Sequence, residues 1–200
     1  MVATTPLVLF AHPSFAVNDV RELIAYSKAN PGKLSVGTAG ASTPHHLAAA
    51  WLNIAAKIDI THVPYRAPAL NDLLGGQFPL IWATPVMPFV EQGKAKVLGV
   101  ATQQRISMLP QVPTVAESAV PGFAVEIWLG IAAPANVPPE VVARVGQAIH
   151  EAIELPEVQK RMSTLGLYVD FRNSEQFHEL IVREHQKYGT IIREAGIQPE

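Results

Sequence analysis

The chain contains no cysteine. Disulfides, thiol nucleophiles and thiolate metal sites are therefore excluded. The absence fits cytosol and periplasm equally. Charge is sparse, at 16% of residues. Lys and Arg total 15 against 17 Asp and Glu, a formal charge of −2. A polyanion-binding surface is normally basic, so no nucleic-acid partner is expected. No apolar run approaches the roughly 18 residues that span a bilayer. Residues 6–11 are apolar but strand-sized, with no basic region before them, so they read as neither signal peptide nor anchor. Internal repeats and low-complexity segments are also missing. What is present is 200 residues, 48% of them hydrophobic. That length and composition suit one large domain or two small lobes with a real core. The 17 prolines are dispersed and read as turn punctuation.

Along the chain, strand-like and helix-like segments alternate. Strands are expected at 7–10, 34–36, 60–63, 78–82 and 97–101. A helix capped by Asn18 carries Val20, Leu23, Ile24 and Ser27 on one face and ends near Asn30. A second begins at Thr43, with Pro44 in the favoured first position and a stripe of Leu47, Ala48, Trp51, Leu52, Ala55 and Ala56. Short helices are expected at 67–74 and 85–92. This βαβα order predicts a mostly parallel sheet covered on both faces. The rhythm changes between Thr102 and Val125, where the chain is polar and proline-punctuated with one short helix at 114–119. A strand at 125–132, helices at 138–153, 157–165 and 174–195, and a strand at 167–171 follow. A lobe boundary is expected in the changed stretch.

The best local candidate for chemistry is Gly37-Thr38-Ala39-Gly40-Ala41-Ser42-Thr43-Pro44-His45-His46. It links a strand to a helix N-terminus. Two glycines allow close backbone approach, three hydroxyls are at hand, and the first helical turn offers N–H groups at the positive end of a dipole. That combination suits a carboxylate or phosphate; an ordinary βα turn with a good cap reads the same way. It lacks the Lys-Ser/Thr pair of a P-loop and the dinucleotide glycine pattern. His45 and His46 point about 100° apart on a helix and do not share a metal easily. His178 and His185 share a helical face, with Glu184 as weak support for a metal. Ser42 near His46 suggests a nucleophile, but no nucleophile elbow surrounds it. His62-Val63-Pro64-Tyr65-Arg66 carries a strand into a loop, where Arg66 attracts an anion and Tyr65 hydrogen-bonds it, or both are solvated turn residues. Trp82 and Trp128 read first as core, Trp128 lying near the change of rhythm.

Several segments together resemble one family. They are Pro31-Gly32-Lys33-Leu34 running into Gly37-Thr38-Ala39-Gly40, then Ser42, His45-His46 and Leu47-Ala48; His62 to Arg66 with Pro68 to Gln77; Leu109 to Glu117; Pro121-Gly122-Phe123; Ala133-Pro134; and Ala195-Gly196-Ile197. This pattern is similar to the Bug family, the TctC-like extracytoplasmic solute receptors of tripartite tricarboxylate transporters. The likeness covers nearly the whole chain, with its motifs in the family's order.

The resemblance implies an α/β fold of the periplasmic-binding-protein kind (type II, Venus flytrap), here one complete lobe plus a partial second lobe. The division it suggests is 1–124 for the ligand-binding lobe and 125–200 for a mostly helical remnant. It implies a binding protein, not an enzyme, with no cofactor and no metal. Its ligand is a small carboxylate, aromatic or dicarboxylic, delivered to the transporter's membrane permease subunits. The expected ligand-binding residues are Thr38, Ala39, Gly40, Ser42, Thr43, His46, Tyr65, Arg66, Thr84 and Trp128. Location is periplasmic by resemblance, or cytoplasmic if Met1 is the natural start.

Two departures shape the expectation. The family's opening βαβαβ stretch has no counterpart before Met1. Stripes such as Val141/Val145/Ile149 and Phe177/Ile181 would then lie open, and a homodimer or segment-swapped dimer is expected. Pro79 and Ala83 also stand where the family carries acids, which favours an apolar or aromatic carboxylate over an amino acid. Two alternatives remain: an oligomeric interaction protein that has lost binding, or a hydrolase using Ser42 and His46.

Overall fold

A computed structural model describes residues 1–65, 69–85 and 87–198. The chain divides into two compact units. One comprises Met1–Thr5 and Ile127–Lys187; the other comprises Pro6–Glu126 and the described residues from Tyr188 onward. A division at 124/125 differs from this at both chain ends, because each unit takes a terminal piece from the other's side.

The larger unit is built on a five-stranded sheet. Its strands are β2 (Val8–Ala11), β3 (Leu34–Thr38), β4 (Ile60–Pro64), β5 (Leu80–Ala83) and β6 (Lys96–Val100), in the order β4-β3-β5-β2-β6. β3 runs parallel to both β4 and β5, while β2 runs antiparallel to β5 and β6. Four strands share a direction and one opposes them, but because β2 is inserted between β5 and β6 only two of the four pairings are parallel, so the sheet is mixed rather than the mostly parallel one expected. Every residue of β2 is buried. Such a strand carries no polar alternation because both its faces are covered.

Helices α1 (Val20–Ala29) and α2 (Pro44–Ala56) follow the capping logic of their sequences, with one correction. Asp19, not Asn18, caps α1: its carboxylate accepts from the Glu22 N–H, while the Asn18 N–H donates to Glu22. Asp places a charged acceptor at the positive helix end, which Asn does not. In α2 the buried face is Leu47, Ala48, Ala49 and Leu52; Ala55 is exposed and Trp51 half-buried, so the stripe is rotated from the expected one. Short helices α3 (Leu70–Leu74) and α4 (Met87–Glu91) are each trimmed relative to expectation, and Ala67, Pro68 and Val86 lie outside the described residues.

The polar stretch after β6 belongs wholly to this unit. Val125 N–H donates to Ala101 at 2.8 Å, and α5 (Val115–Ser118) is held by a capping box of Thr114 and Glu117. Phe123 is fully buried and stacks on Trp51 at 4.7 Å and Trp82 at 6.0 Å. Trp82, 2% exposed, is core.

The smaller unit holds a three-stranded sheet, order β7-β1-β8, from β1 (Ala3–Pro6), β7 (Glu126–Leu129) and β8 (Tyr168–Val169). β1 has no counterpart in the sequence reading; its single alternation Ala-Thr-Thr-Pro is too short to signal a strand and is fixed by pairing with β8 at Ala3↔Val169. The strand expected at 125–132 stops at Leu129, and Ile131 is 64% exposed. Helices α6 (Pro139–Ile153), α7 (Pro156–Thr164) and α8 (Ser174–Ala195) complete the element list. Within this unit a groove of about 490 Å³ is lined mainly by Ile131, Val141, Val145, Ile149, Phe177 and Ile181. Val141, Val145 and Ile181 are exposed, as the stripes anticipated. Among the described residues no helix is long and apolar enough to cross a membrane.

Candidate functional site

β3 and β4 are neighbours in register, Thr38 opposite Pro64, so the loops leaving their carboxyl ends emerge side by side. Ligands of open α/β sheets sit at that edge. Gly37 is the last small step before the loop: a Cβ there would meet the Phe78 ring at 2.7 Å. The aromatic ring thus packs directly under the strand end.

The loop then turns back on itself. Gly40 adopts φ 122 and Ser42 adopts φ 56, in the left-handed region. Thr43 Oγ1 donates to the Gly40 carbonyl at 2.8 Å and accepts from the His46 N–H at 3.4 Å, closing the helix mouth. Pro44 has no N–H, and that of His45 has no intrahelical acceptor. The result is a compact turn with the positive end of a thirteen-residue helix behind it.

Two histidines flank this turn. His46 from α2 and His62 from β4 stack with centroids 3.7 Å apart and planes 7° off parallel. The Ser42 backbone N–H meets His46 Nδ1 at 3.3 Å. His62 Nε2 meets Thr38 Oγ1 at 2.6 Å, and Thr38 Oγ1 also lies 3.3 Å from the Gly40 carbonyl. Burial, and then the neighbouring His46, lower the His62 pKa to about 4. Burial also lowers that of His45. Around neutral pH His62 is therefore uncharged.

The ten residues expected from sequence fall into three groups. Thr38, Ala39, Gly40, Ser42, Thr43 and His46 form one loop and helix start, as their spacing requires. Thr38 is fully buried, so its hydroxyl faces His62 and Gly40 rather than solvent. Ala39 and Ser42 are exposed. Tyr65 is tied in by its N–H, which donates to the Thr38 carbonyl at 3.0 Å, and its ring leans on Phe78 at 5.3 Å. Arg66 lies outside the described residues. Thr84 follows β5 and is exposed. Trp128 belongs to the smaller unit, where its ring meets Phe177 edge-on at 5.5 Å. Sequence reasoning missed His62 and Phe78 as parts of this site. The signal for His62 is its place in β4 at the register position of Val36, two residues before the strand end.

Among the described residues no group of three His, Asp or Glu side chains is placed to hold a metal. On α8, Glu184 pairs with Lys187 at 2.5 Å.

The glycine-, hydroxyl- and histidine-bearing loop lies at the carboxyl edge of a mixed α/β sheet, where open α/β sheets hold their ligands. The fold is that of periplasmic solute-binding proteins. Adipate-bound Rpa4515 of R. palustris superposes with a TM-score of 0.88 at 26% identity, covering 100% of this chain and 68% of that one. MatC (Rpa3494) of Rhodopseudomonas palustris with bound malate gives 0.80 at 28% identity, covering 95% and 67%. A UPF0065 protein from the tcbD-tcbE intergenic region of Pseudomonas sp. strain P51 is 35% identical over 199 residues. That match covers 97% of this chain, which spans 59% of the relative's length. Residues 1–197 match the tripartite tricarboxylate transporter family receptor (TctC) model, and the chain belongs to that family. The family and fold are those of substrate-binding proteins.

Proposed function

We propose that the chain binds a small dicarboxylate or aromatic carboxylate at the 38–46 loop and serves a tripartite tricarboxylate transporter in the periplasm, handing the ligand to its membrane permease subunits. The observation that carries this reading is the loop itself. Gly40, Ser42 and Thr43 shape a turn against the α2 N-terminus, with the stacked rings of His46 and His62 beside it. A carboxylate there is held by N–H groups, hydroxyls and the helix dipole. Adipate and malate in the two structural relatives support that chemistry. Arg66, Thr84 and Trp128 join the ligand set on family resemblance.

A thermal-shift screen with adipate, malate and benzoate tests the reading. A ligand at about 100 times its Kd stabilises the folded chain by about 2.7 kcal/mol. For a chain of this size that is a rise of roughly 5–10 °C. No rise with any acid overturns the proposal. Against the hydrolase alternative, His46 Nδ1 is engaged by the Ser42 backbone N–H.

A second reading concerns self-association. The groove beside α6 and α8 is lined mostly by apolar side chains; its charged lining groups are Arg172, paired with Asp170 at 2.8 Å, and the Met1 amino group, which donates to the Arg172 carbonyl. A mostly apolar exposed face of this kind can be buried against its own copy. We propose a homodimer through this face. Light scattering is expected to show the dimer mass for the native chain and the monomer mass for Val145→Asp. A monomer for both refutes it.

A further inference from the structure

We propose that the stacked His46–His62 pair makes carboxylate capture proton-linked: one proton enters the pair as the anion arrives, with His62 acting as a positioning residue behind Thr38. The proposal rests on the carboxylate reading of the same loop.

The geometry supplies the argument. Two imidazole rings 3.7 Å apart and nearly parallel cannot both carry charge without strong repulsion. The pair therefore holds one proton at most beyond its neutral state. His46 Nδ1 is an acceptor for the Ser42 N–H, so a proton added there would break the contact that shapes the turn. His62 has no such conflict. Its Nε2 faces Thr38 Oγ1, and Thr38 in turn reaches the Gly40 carbonyl. With His62 neutral and Nε2 bare, the Thr38 hydroxyl donates to it. With Nε2 protonated, the imidazolium donates to Oγ1 and the Thr38 hydroxyl turns to Gly40. Both arrangements leave each donor matched, so the chain of three groups accommodates the proton without moving a heavy atom.

The surroundings decide when the proton arrives. β3, on one side of β4, has no titratable side chain; α2 contributes His45 and His46; Lys57 and Asp59 precede β4; Tyr65 follows it and hydrogen-bonds Asp72 of α3. In the free protein burial holds His62 neutral down to about pH 4. An anion at the adjacent helix mouth supplies the opposite charge that favours imidazolium. The proton comes from solvent, and no covalent bond of the ligand changes. Linkage then requires carboxylate affinity to strengthen as pH falls through the raised, ligand-bound value of His62 toward 4.

The same residue shapes stability without ligand. The unfolded chain protonates His62 near pH 6.5 and the folded chain only near 4. Between these values the unfolded state holds more protons, so stability is full above about 6.5 and declines as pH falls toward 4.

Titration calorimetry with adipate and malate, each at pH 6 in two buffers of different protonation enthalpy, tests the proposal. The observed heat is expected to vary with the buffer, with a slope of about 0.5–1 proton taken up per ligand. His62→Gln is expected to flatten that slope to near zero, to flatten affinity against pH, and to reduce the loss of stability between pH 6.5 and 4. Binding with a buffer-independent heat in the native protein overturns this inference and leaves the carboxylate reading standing. No binding heat with either acid, together with no thermal shift, overturns both.

Discussion

Phe123→Ala is expected to lower stability by about 3–5 kcal/mol, the largest loss from any single truncation considered. Phe123 is fully buried and its ring is stacked between Trp51 of α2 and Trp82 of β5. Removing it opens a void that two large indoles cannot close by small shifts, because each is anchored in its own element. The loss combines transfer, cavity and aromatic-pair contributions. It also removes one of the ties of the segment after β6, which reaches the sheet through Phe123, the Val125–Ala101 hydrogen bond and the Val100–Pro113 hydrogen bond. Urea denaturation followed by tryptophan fluorescence reads both effects. The midpoint should drop, and the native emission should shift as Trp51 and Trp82 lose their shared neighbour. Phe123→Leu should cost much less because it refills most of the volume. Val182→Ala, on an exposed face of α8, should cost under about 0.5 kcal/mol. A Phe123→Ala loss below about 1 kcal/mol would show that the three rings are not packed together.

The same stack shows where sequence reading stops. The apolar runs of β2 and β5 were legible as buried strands because nothing polar interrupts them, and Thr43-Pro44 announced α2 through local capping chemistry. Phe123 sits in a polar, proline-punctuated stretch that reads as a boundary between lobes. Its partners are 72 and 41 residues away in sequence, and long-range stacking leaves no periodic trace. β1 was invisible for a related reason: four residues gain strand geometry only from β8, more than 160 positions later. At the candidate site, the loop's glycines and hydroxyls are readable together because they are contiguous. His62 is not, since it joins the loop only through the β3–β4 register. Thr38, named for a hydroxyl offered to ligand, is instead sealed beneath the turn, because its position on the inner face of β3 outweighs its polarity.

Thr38→Val is expected to cost about 1–3 kcal/mol and to weaken carboxylate binding by about tenfold. Val keeps the branched shape that fills the buried position, so packing changes little. What disappears is the hydroxyl. The Gly40 carbonyl keeps its bond from Thr43 Oγ1, but His62 Nε2 loses its 2.6 Å partner in a half-buried setting. An unmatched polar nitrogen there disfavours the folded state and leaves the His62 ring free to leave the stack with His46. The loop keeps Thr43 and the Ser42–His46 contact but loses the link to β4 through the Thr38 hydroxyl, so the backbone N–H groups that face the ligand are less firmly spaced. Thr38→Ser separates this from a packing defect: it restores the hydroxyl while deleting a methyl, so it should recover most of the binding at a modest cost in stability. Chemical denaturation gives the first quantity and calorimetry with adipate gives the second. The pH profile gives a third, because Thr38→Val should also lose the rise of affinity at lower pH that Thr38→Ser retains. Thr38→Val with native stability and native affinity would detach Thr38 and His62 from the site altogether.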